Sequence, residues 1–161
     1  MFEHLHHIGV VYKDFSKVAE KIKDLYGMSD IRIVDSIVEV NTFIEELTEP
    51  LKIKVGFANI GSTMIELFQP LDDKSIYSEF LEKNPEGGIH HVGILVTDIE
   101  KEAKKWDAKG LKRMISGVLP TNRFVYYDTR KLFGYVTEIL DNVPPPPKML
   151  EEIMKRLIKK E

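Results

Sequence analysis

Four side chains recur at matching places in two halves of the sequence, and their chemical types suit a metal site. His7 and His91 each stand in an alternating apolar stretch, two residues before a glycine that leaves the same face of the strand uncrowded. Glu66 and Glu138 each stand in the middle of a later apolar stretch, where a carboxylate buried without a partner would be costly. Because two imidazoles and two carboxylates satisfy one another around a divalent cation, we predict that these four residues are its ligands.

The predicted ligand set also constrains the ion. Two nitrogens and two carboxylate oxygens suit one six-coordinate divalent metal ion (Co, Mn, Ni or Zn), with two positions left for water or substrate. The sequence contains no cysteine, which excludes thiol catalysis, disulfide scaffolds and cysteine-ligated metals. Taken singly, a histidine pair near a strand start is commonly structural or exposed, which is our interpretation of His6 and His90, and a lone strand glutamate commonly faces solvent. The coincidence of four positions under one repeat favours ligation.

An internal repeat positions these residues. Residues 6–14 match residues 90–98, because in each copy an alternating apolar strand runs into an aspartate and helical spacing starts at the next residue. The aspartate suits a helix N-cap, and Gly27 and Gly110 suit the left-handed position that follows a helix. Three further strands are predicted after each helix, so each half reads as one strand, one helix and three strands.

These patterns predict an α+β fold with two tandem βαβββ modules that form a cupped mixed sheet around a metal site, plus a C-terminal helix. We place the first module and a connecting helix at residues 1–86 and the second module at residues 87–143, since residues 85–88 break the connecting helix. Residues 144–161 predict a proline-rich spacer and an amphipathic helix. That helix either docks on its own domain or covers a subunit contact. The pattern leaves open whether the modules pair within one chain or across the homodimer that we expect.

Composition excludes several classes of function. The 161 residues include 23 basic and 26 acidic side chains, for a formal net charge of −3, so no basic excess indicates a nucleic-acid or membrane-surface partner. The first residues lack the features of a signal peptide, and no apolar run reaches the ~18 residues of a membrane span. We therefore expect a cytoplasmic protein that acts on a small molecule.

At these residues the chain resembles the vicinal oxygen chelate superfamily, which includes glyoxalase I, extradiol dioxygenases, bleomycin and fosfomycin resistance proteins, and methylmalonyl-CoA epimerase. The similarity covers residues 5–141 and is greatest to the epimerases. It is carried by residues 63–71, 80–84 and 87–91. The resemblance implies the fold of two βαβββ modules around a metal and the same four ligands.

The resemblance also implies a reaction, in which a carboxylate removes the proton α to a thioester and an acid returns a proton to the opposite face. It implies that Glu138 serves as a base as well as a ligand, and that Glu49 acts on the opposite face. Two segments depart from the epimerase pattern. Residues 48–52 replace a Glu-Gln/His-Gly segment, which makes Glu49 an approximate match, and residues 119–123 replace a loop that contains glycine and histidine.

Two arginines follow or lie in that second loop. Arg123 and Arg130 carry planar guanidinium groups that would hold a carboxylate or a CoA phosphate. An ordinary solvated loop cation is an equally good interpretation of each. We include both as candidate substrate-binding residues.

Three functions fit the sequence. The first is a metal-dependent epimerase that acts on an acyl-CoA. The second is another enzyme of the same fold, either a glyoxalase-type isomerase or lyase or a dioxygenase, although Glu66 as a fourth protein ligand argues against the dioxygenase. The third is a non-enzymatic protein that binds a small molecule, and the intact ligand set argues against it.

Overall fold

A computed structural model describes residues 2–26, 32–42, 51–119, 122–142 and 147. In chain order the elements are β1 (Phe2–Val11), α1 (Ser16–Tyr26), β2 (Arg32–Thr42), β3 (Leu51–Ile60), β4 (Thr63–Pro70), α2 (Ile76–Lys83), β5 (Gly88–Val96), α3 (Ile99–Ala108), β6 (Arg113–Val118), β7 (Arg123–Tyr127), α4 (Arg130–Phe133) and β8 (Val136–Asp141). None of these helices combines the length and the apolar character that crossing a membrane requires.

The two halves of the chain repeat one order of elements, which confirms the predicted α+β class. The first half runs β1-α1-β2-β3-β4 and the second runs β5-α3-β6-β7-β8. The connecting helix α2 lies between them, and the short helix α4 before β8 was not predicted. The boundary between modules at residue 86 stays a prediction. Gly27, Glu49 and the predicted C-terminal helix lie outside the described residues.

One sheet unites the two halves. Its strand order is β1-β4-β3-β2-β6-β7-β8-β5, closed into a barrel. Within the halves β1 pairs parallel with β4, and β5 pairs parallel with β8. The halves join where β1 pairs antiparallel with β5 and, through two residue pairs, where β2 meets β6. The modules therefore pair within one chain.

The two faces of β1 contact different layers, as strand alternation requires. Val11 belongs to the apolar cluster inside the barrel, together with Leu95 of β5. Val10, on the other face, packs with Phe15 at the start of α1. The inner face is the one that carries His7, so the candidate ligands point into the barrel. Helices α1 and α3 cover its outside, whereas α2 packs against the inner cluster.

Caps predicted from the sequence hold α3 at both ends. The Asp98 side chain accepts a hydrogen bond of 3.0 Å from the backbone N–H of Lys101. Gly110, just beyond the helix, adopts a left-handed φ of +76° that a Cβ would disfavour. In the first half, Asp14 accepts a hydrogen bond of 3.0 Å from the N–H of Ser16, where α1 begins.

Candidate metal centre

Strand register brings the two candidate histidine ligands together. In the β1–β5 pair, His7 lies opposite Gly93 and Gly9 lies opposite His91. A Cβ atom on Gly9 would lie 1.8 Å from Cε1 of His91, and one on Gly93 would lie 2.2 Å from Cε1 of His7. Each imidazole thus lies over the glycine of the other half. The glycine therefore leaves the face of its own strand open and also provides the space that the histidine of the opposite strand occupies.

This close packing gives a first prediction. Gly9→Ala should displace the His91 ring, because the added methyl carbon would occupy the same volume. We expect the affinity for Co(II), measured by isothermal titration calorimetry, to fall about 100-fold, since small losses of ligand orientation already cost 10- to 100-fold. Gly56→Ala is the matched control, because its Cβ would meet Phe15 at 3.3 Å and not a ligand. Equal losses in the two variants would contradict the prediction.

Three of the four predicted ligands converge at one buried point. Nε2 of His7 lies 3.1 Å from Nε2 of His91 and 2.8 Å from Oε2 of Glu138. Nε2 of His91 lies 3.6 Å from the same carboxylate oxygen. Ligand atoms that bind one ion at about 2.1 Å and at right angles lie about 3 Å from one another. The spacing of the three groups therefore fits a shared divalent ion.

Glu66, the fourth predicted ligand, lies beside His7, on the Nδ1 side of its ring. It stands on β4, opposite Gly9 in the strand register. Its Oε1 lies 3.8 Å from Nδ1 of His7, and His6 joins these two residues in a second group of close donor atoms. The structure thus places Glu66 beside the cluster, and its ligation stays a prediction.

Burial and charge set the protonation of the cluster. Burial lowers the pKa of His7, but the carboxylates of Glu138 and Glu66 outweigh this effect and raise the pKa to about 9. Burial raises the pKa of Glu66 to about 7, against the opposing charge of His7. Burial holds the pKa of His91 well below its ordinary value, and the neighbouring His7 lowers it further. Without an ion, the cluster therefore holds a proton that a divalent cation would replace.

One atom of the cluster lacks a hydrogen bond. Oε2 of Glu138 is buried and accepts no hydrogen bond from the described residues. Nε2 of His7 lies 2.8 Å from it as an ion-pair contact, and a divalent ion would replace that positive charge. A buried carboxylate oxygen needs a positive or donating partner. The residues present therefore fit a divalent ion at this point.

The cluster opens onto a cavity of about 400 Å³. His7, Glu66 and Glu138 contribute its charged lining, and most other lining residues are apolar, Phe68 and Leu140 among them. A concave apolar space with a few convergent polar groups is typical of small-molecule sites. The arrangement suits a ligand with a small apolar part and oxygen atoms directed at the cluster.

Two tyrosines at the site were missed by the sequence analysis. The Tyr126 hydroxyl lies 3.2 Å from Nε2 of His91, and the Tyr77 hydroxyl lies 3.2 Å from that of Tyr126. Both rings line the cavity and both side chains are buried. Tyr126 lies opposite Glu138 in the β7–β8 register, so alternation along β7 could have placed it on the inner face. No comparable pattern marks Tyr77, which reaches the cavity from α2.

The two candidate substrate-binding arginines bind carboxylates of this chain. Arg123 contacts Asp141 at 2.6 Å and Glu100 at 3.0 Å. Arg130 contacts Asp128 at 2.6 Å. Neither arginine is among the described residues that line the cavity. Their role in substrate binding stays a prediction.

Comparison with known proteins relates the chain to one superfamily. A family profile described as the Glyoxalase/Bleomycin resistance protein/Dioxygenase superfamily matches residues 6–127. The ethylmalonyl-CoA/methylmalonyl-CoA epimerase of Cereibacter sphaeroides is 30% identical over 117 residues, which cover 73% of this chain and 78% of that protein. The mitochondrial methylmalonyl-CoA epimerase of Dictyostelium discoideum is 36% identical over 77 residues, which cover 45% of this chain and 46% of that protein. The chain spans about half the length of the mitochondrial relatives that it matches.

Solved structures share the fold. A Streptomyces coelicolor methylmalonyl-CoA epimerase in complex with 2-nitronate-propionyl-CoA matches with a TM-score of 0.68 and 18% identity, over 89% of this chain and 99% of that chain. A methylmalonyl-CoA epimerase in complex with methylmalonyl-CoA and NH4+ matches with a TM-score of 0.68 and 20% identity, over 91% of this chain and 100% of that chain. At these identities the likeness establishes the common fold.

Proposed function

This chain belongs to the glyoxalase/bleomycin resistance protein/dioxygenase superfamily, and from that premise we propose that it is a metal-dependent epimerase of an acyl-CoA, with methylmalonyl-CoA as the candidate substrate. The curated relatives that are named epimerases support this substrate. One observation carries the proposal: His7, His91 and Glu138 converge at a single buried point beside an apolar cavity. In such an arrangement a carboxylate and a bound cation would lie at the polar end of a small acyl group, which supports the proposal.

The residues of the cluster would have two roles, metal binding and proton transfer. His7, His91, Glu138 and, as the predicted fourth ligand, Glu66 would hold a divalent ion, which when bound supplies Lewis-acid stabilisation of negative charge on the substrate. Glu138 also accepts the α proton, since a carboxylate within the cavity can act as a general base. The apolar walls keep bulk water from the deprotonated carbon. Glu49 would return the proton from the opposite face, and it lies outside the described residues.

Hydrogen exchange at the α carbon tests this proposal. Protein loaded with Co(II) should transfer deuterium from D2O to the α carbon of methylmalonyl-CoA, which proton NMR follows as loss of the α-proton signal. Glu138→Gln should slow the exchange about 10²- to 10⁴-fold, the usual contribution of a general base. Absence of exchange by wild-type protein whose Co(II) content has been verified would contradict the proposed function.

A further inference from the structure

Each candidate histidine ligand contacts the histidine that precedes it in the chain, Nδ1 to Nδ1. Nδ1 of His6 lies 2.9 Å from Nδ1 of His7, and Nδ1 of His90 lies 3.0 Å from Nδ1 of His91. Consecutive residues of a regular strand point to opposite faces, so such contacts are not expected from the sequence pattern. Both pairs repeat the same geometry in the two halves, which indicates a common structural cause.

That cause is a bulge in each strand. The β1–β5 register skips one residue of β1 between Leu5 and His7, and the skipped residue is His6. It likewise skips one residue of β5 between Ile89 and His91, and the skipped residue is His90. A bulge re-aims the extra side chain. In both halves the bulge places the imidazole of the preceding histidine, His6 or His90, beside the imidazole of the candidate ligand.

With an ion at the shared point, the contacts assign the proton of each ring to one nitrogen. Nε2 of His7 and of His91 face each other at 3.1 Å and face Glu138, so Nε2 is the nitrogen that would bind the ion. A ligating nitrogen must be free of its proton, which leaves the proton on Nδ1. An Nδ1–H at hydrogen-bond distance from another Nδ1 must donate to it. The preceding histidine must then accept at Nδ1 and carry its own proton on Nε2.

The second half extends this chain of hydrogen bonds. The hydroxyl of Tyr126 lies 3.2 Å from Nε2 of His91, a contact in which Tyr126 donates when the His91 proton is on Nδ1. The His90 ring is held among aromatic side chains, 5.1 Å from the Tyr77 ring and 5.3 Å from the Phe80 ring, and is 4 % exposed. Packing therefore holds Nδ1 of His90, the acceptor, next to Nδ1 of His91, because the His90 ring has little room to rotate.

We propose that His6 and His90 are positioning residues, which hold His7 and His91 as the Nδ1–H tautomers so that each Nε2 presents its lone pair to the shared point. This inference rests on the metal centre of the proposed function. Ligating histidines generally donate their second N–H to a carboxylate, a carbonyl or water. Here the preceding histidine of the same strand accepts the hydrogen bond from that second N–H, once in each half.

The tautomers themselves provide the first test. Long-range proton–nitrogen NMR of metal-free wild-type protein labelled with 15N-histidine distinguishes Nδ1–H from Nε2–H. We expect Nδ1–H for His91 and Nε2–H for His90. Nδ1–H on His90 would overturn the proposal. The measurement needs neither metal nor substrate, so its failure is distinguishable from failure of the α-proton exchange that tests the proposed function.

Two variants of one residue provide the second test. His90→Asn retains an acceptor oxygen close to the position of Nδ1, whereas His90→Phe retains the ring and removes the acceptor. By calorimetric titration of Zn(II), we expect His90→Phe to lose about 10- to 100-fold in affinity and His90→Asn to stay within about threefold of wild type. A loss in His90→Asn with little loss in His90→Phe would show that the ring matters and not the acceptor, and would overturn the proposal. Equal losses would show that an acceptor at this position does not preserve affinity, and would overturn it as well. If His90→Phe does not fold, the tautomers of the wild-type protein still decide.

Discussion

Glu138→Ala should abolish stoichiometric uptake of a divalent metal. Oε2 of Glu138 is the one carboxylate oxygen that lies within 3.6 Å of Nε2 of both histidines among the described residues. Its removal leaves two imidazoles 3.1 Å apart, with the nearest remaining carboxylate, that of Glu66, 3.8 Å from Nδ1 of His7. We expect no more than a trace of Co(II) after equimolar loading and desalting, measured by elemental analysis, where wild-type protein retains one ion per chain.

Two further variants control for loss of the fold. Removing one partner of a buried ion pair commonly costs about 3–5 kcal/mol, so Glu138→Gln, which keeps the shape of the side chain, should be measured beside the alanine variant. Glu86→Ala alters an exposed glutamate outside the cluster and should retain a full equivalent of metal. Unchanged metal content in folded Glu138→Ala would show that the ion binds elsewhere.

Removal of the metal should abolish exchange of the α proton. Negative charge that develops on a substrate in this apolar cavity has few described partners, because the lining is mostly apolar. Lewis-acid stabilisation is worth several kcal/mol, and each 1.36 kcal/mol changes a rate tenfold, so exchange should fall about 10³-fold or more. Deuterium incorporation into methylmalonyl-CoA, followed before and after treatment with a chelator, measures the loss.

Re-addition of metal completes that experiment. Co(II), Mn(II), Ni(II) or Zn(II) should restore exchange in proportion to the metal taken up, because the donor set of imidazole and carboxylate accommodates all four ions. Protein treated in parallel with metal-saturated chelator controls for damage during the procedure. Exchange that continues at the original rate in metal-free protein would contradict metal dependence and would leave Glu138 as a base without an ion.

The repeat explains why so much of the site could be predicted. His7 and His91 stand in matched local patterns, and alternation along a strand assigns them to the inner face without knowledge of the partner strand. The same holds for Glu138, whose apolar neighbours mark a buried strand. Pairing of the two modules within one chain, which the sequence left open, then follows from the β1–β5 register. The homodimer and the cytoplasmic location stay predictions.

Features that depend on register between distant strands could not be predicted. Alternation places His6 and His90 on the outer face, and their interpretation as structural or exposed residues did not anticipate their contacts with the ligands. Those contacts arise from bulges, which are properties of the β1–β5 pair and not of either strand alone. Tyr77 was missed for a similar reason, since its approach to Tyr126 depends on how α2 packs against the inner apolar cluster.

A crystal structure of the protein grown with one equivalent of Co(II) tests the central claim most directly, through an anomalous difference map at the cobalt edge. We expect a single peak per chain, about 2.1 Å from Nε2 of His7 and of His91 and in contact with carboxylate oxygens of Glu138 and Glu66. A peak at another place, or no peak in crystals whose protein takes up one equivalent of cobalt, would contradict the claim that the two modules join to hold one ion.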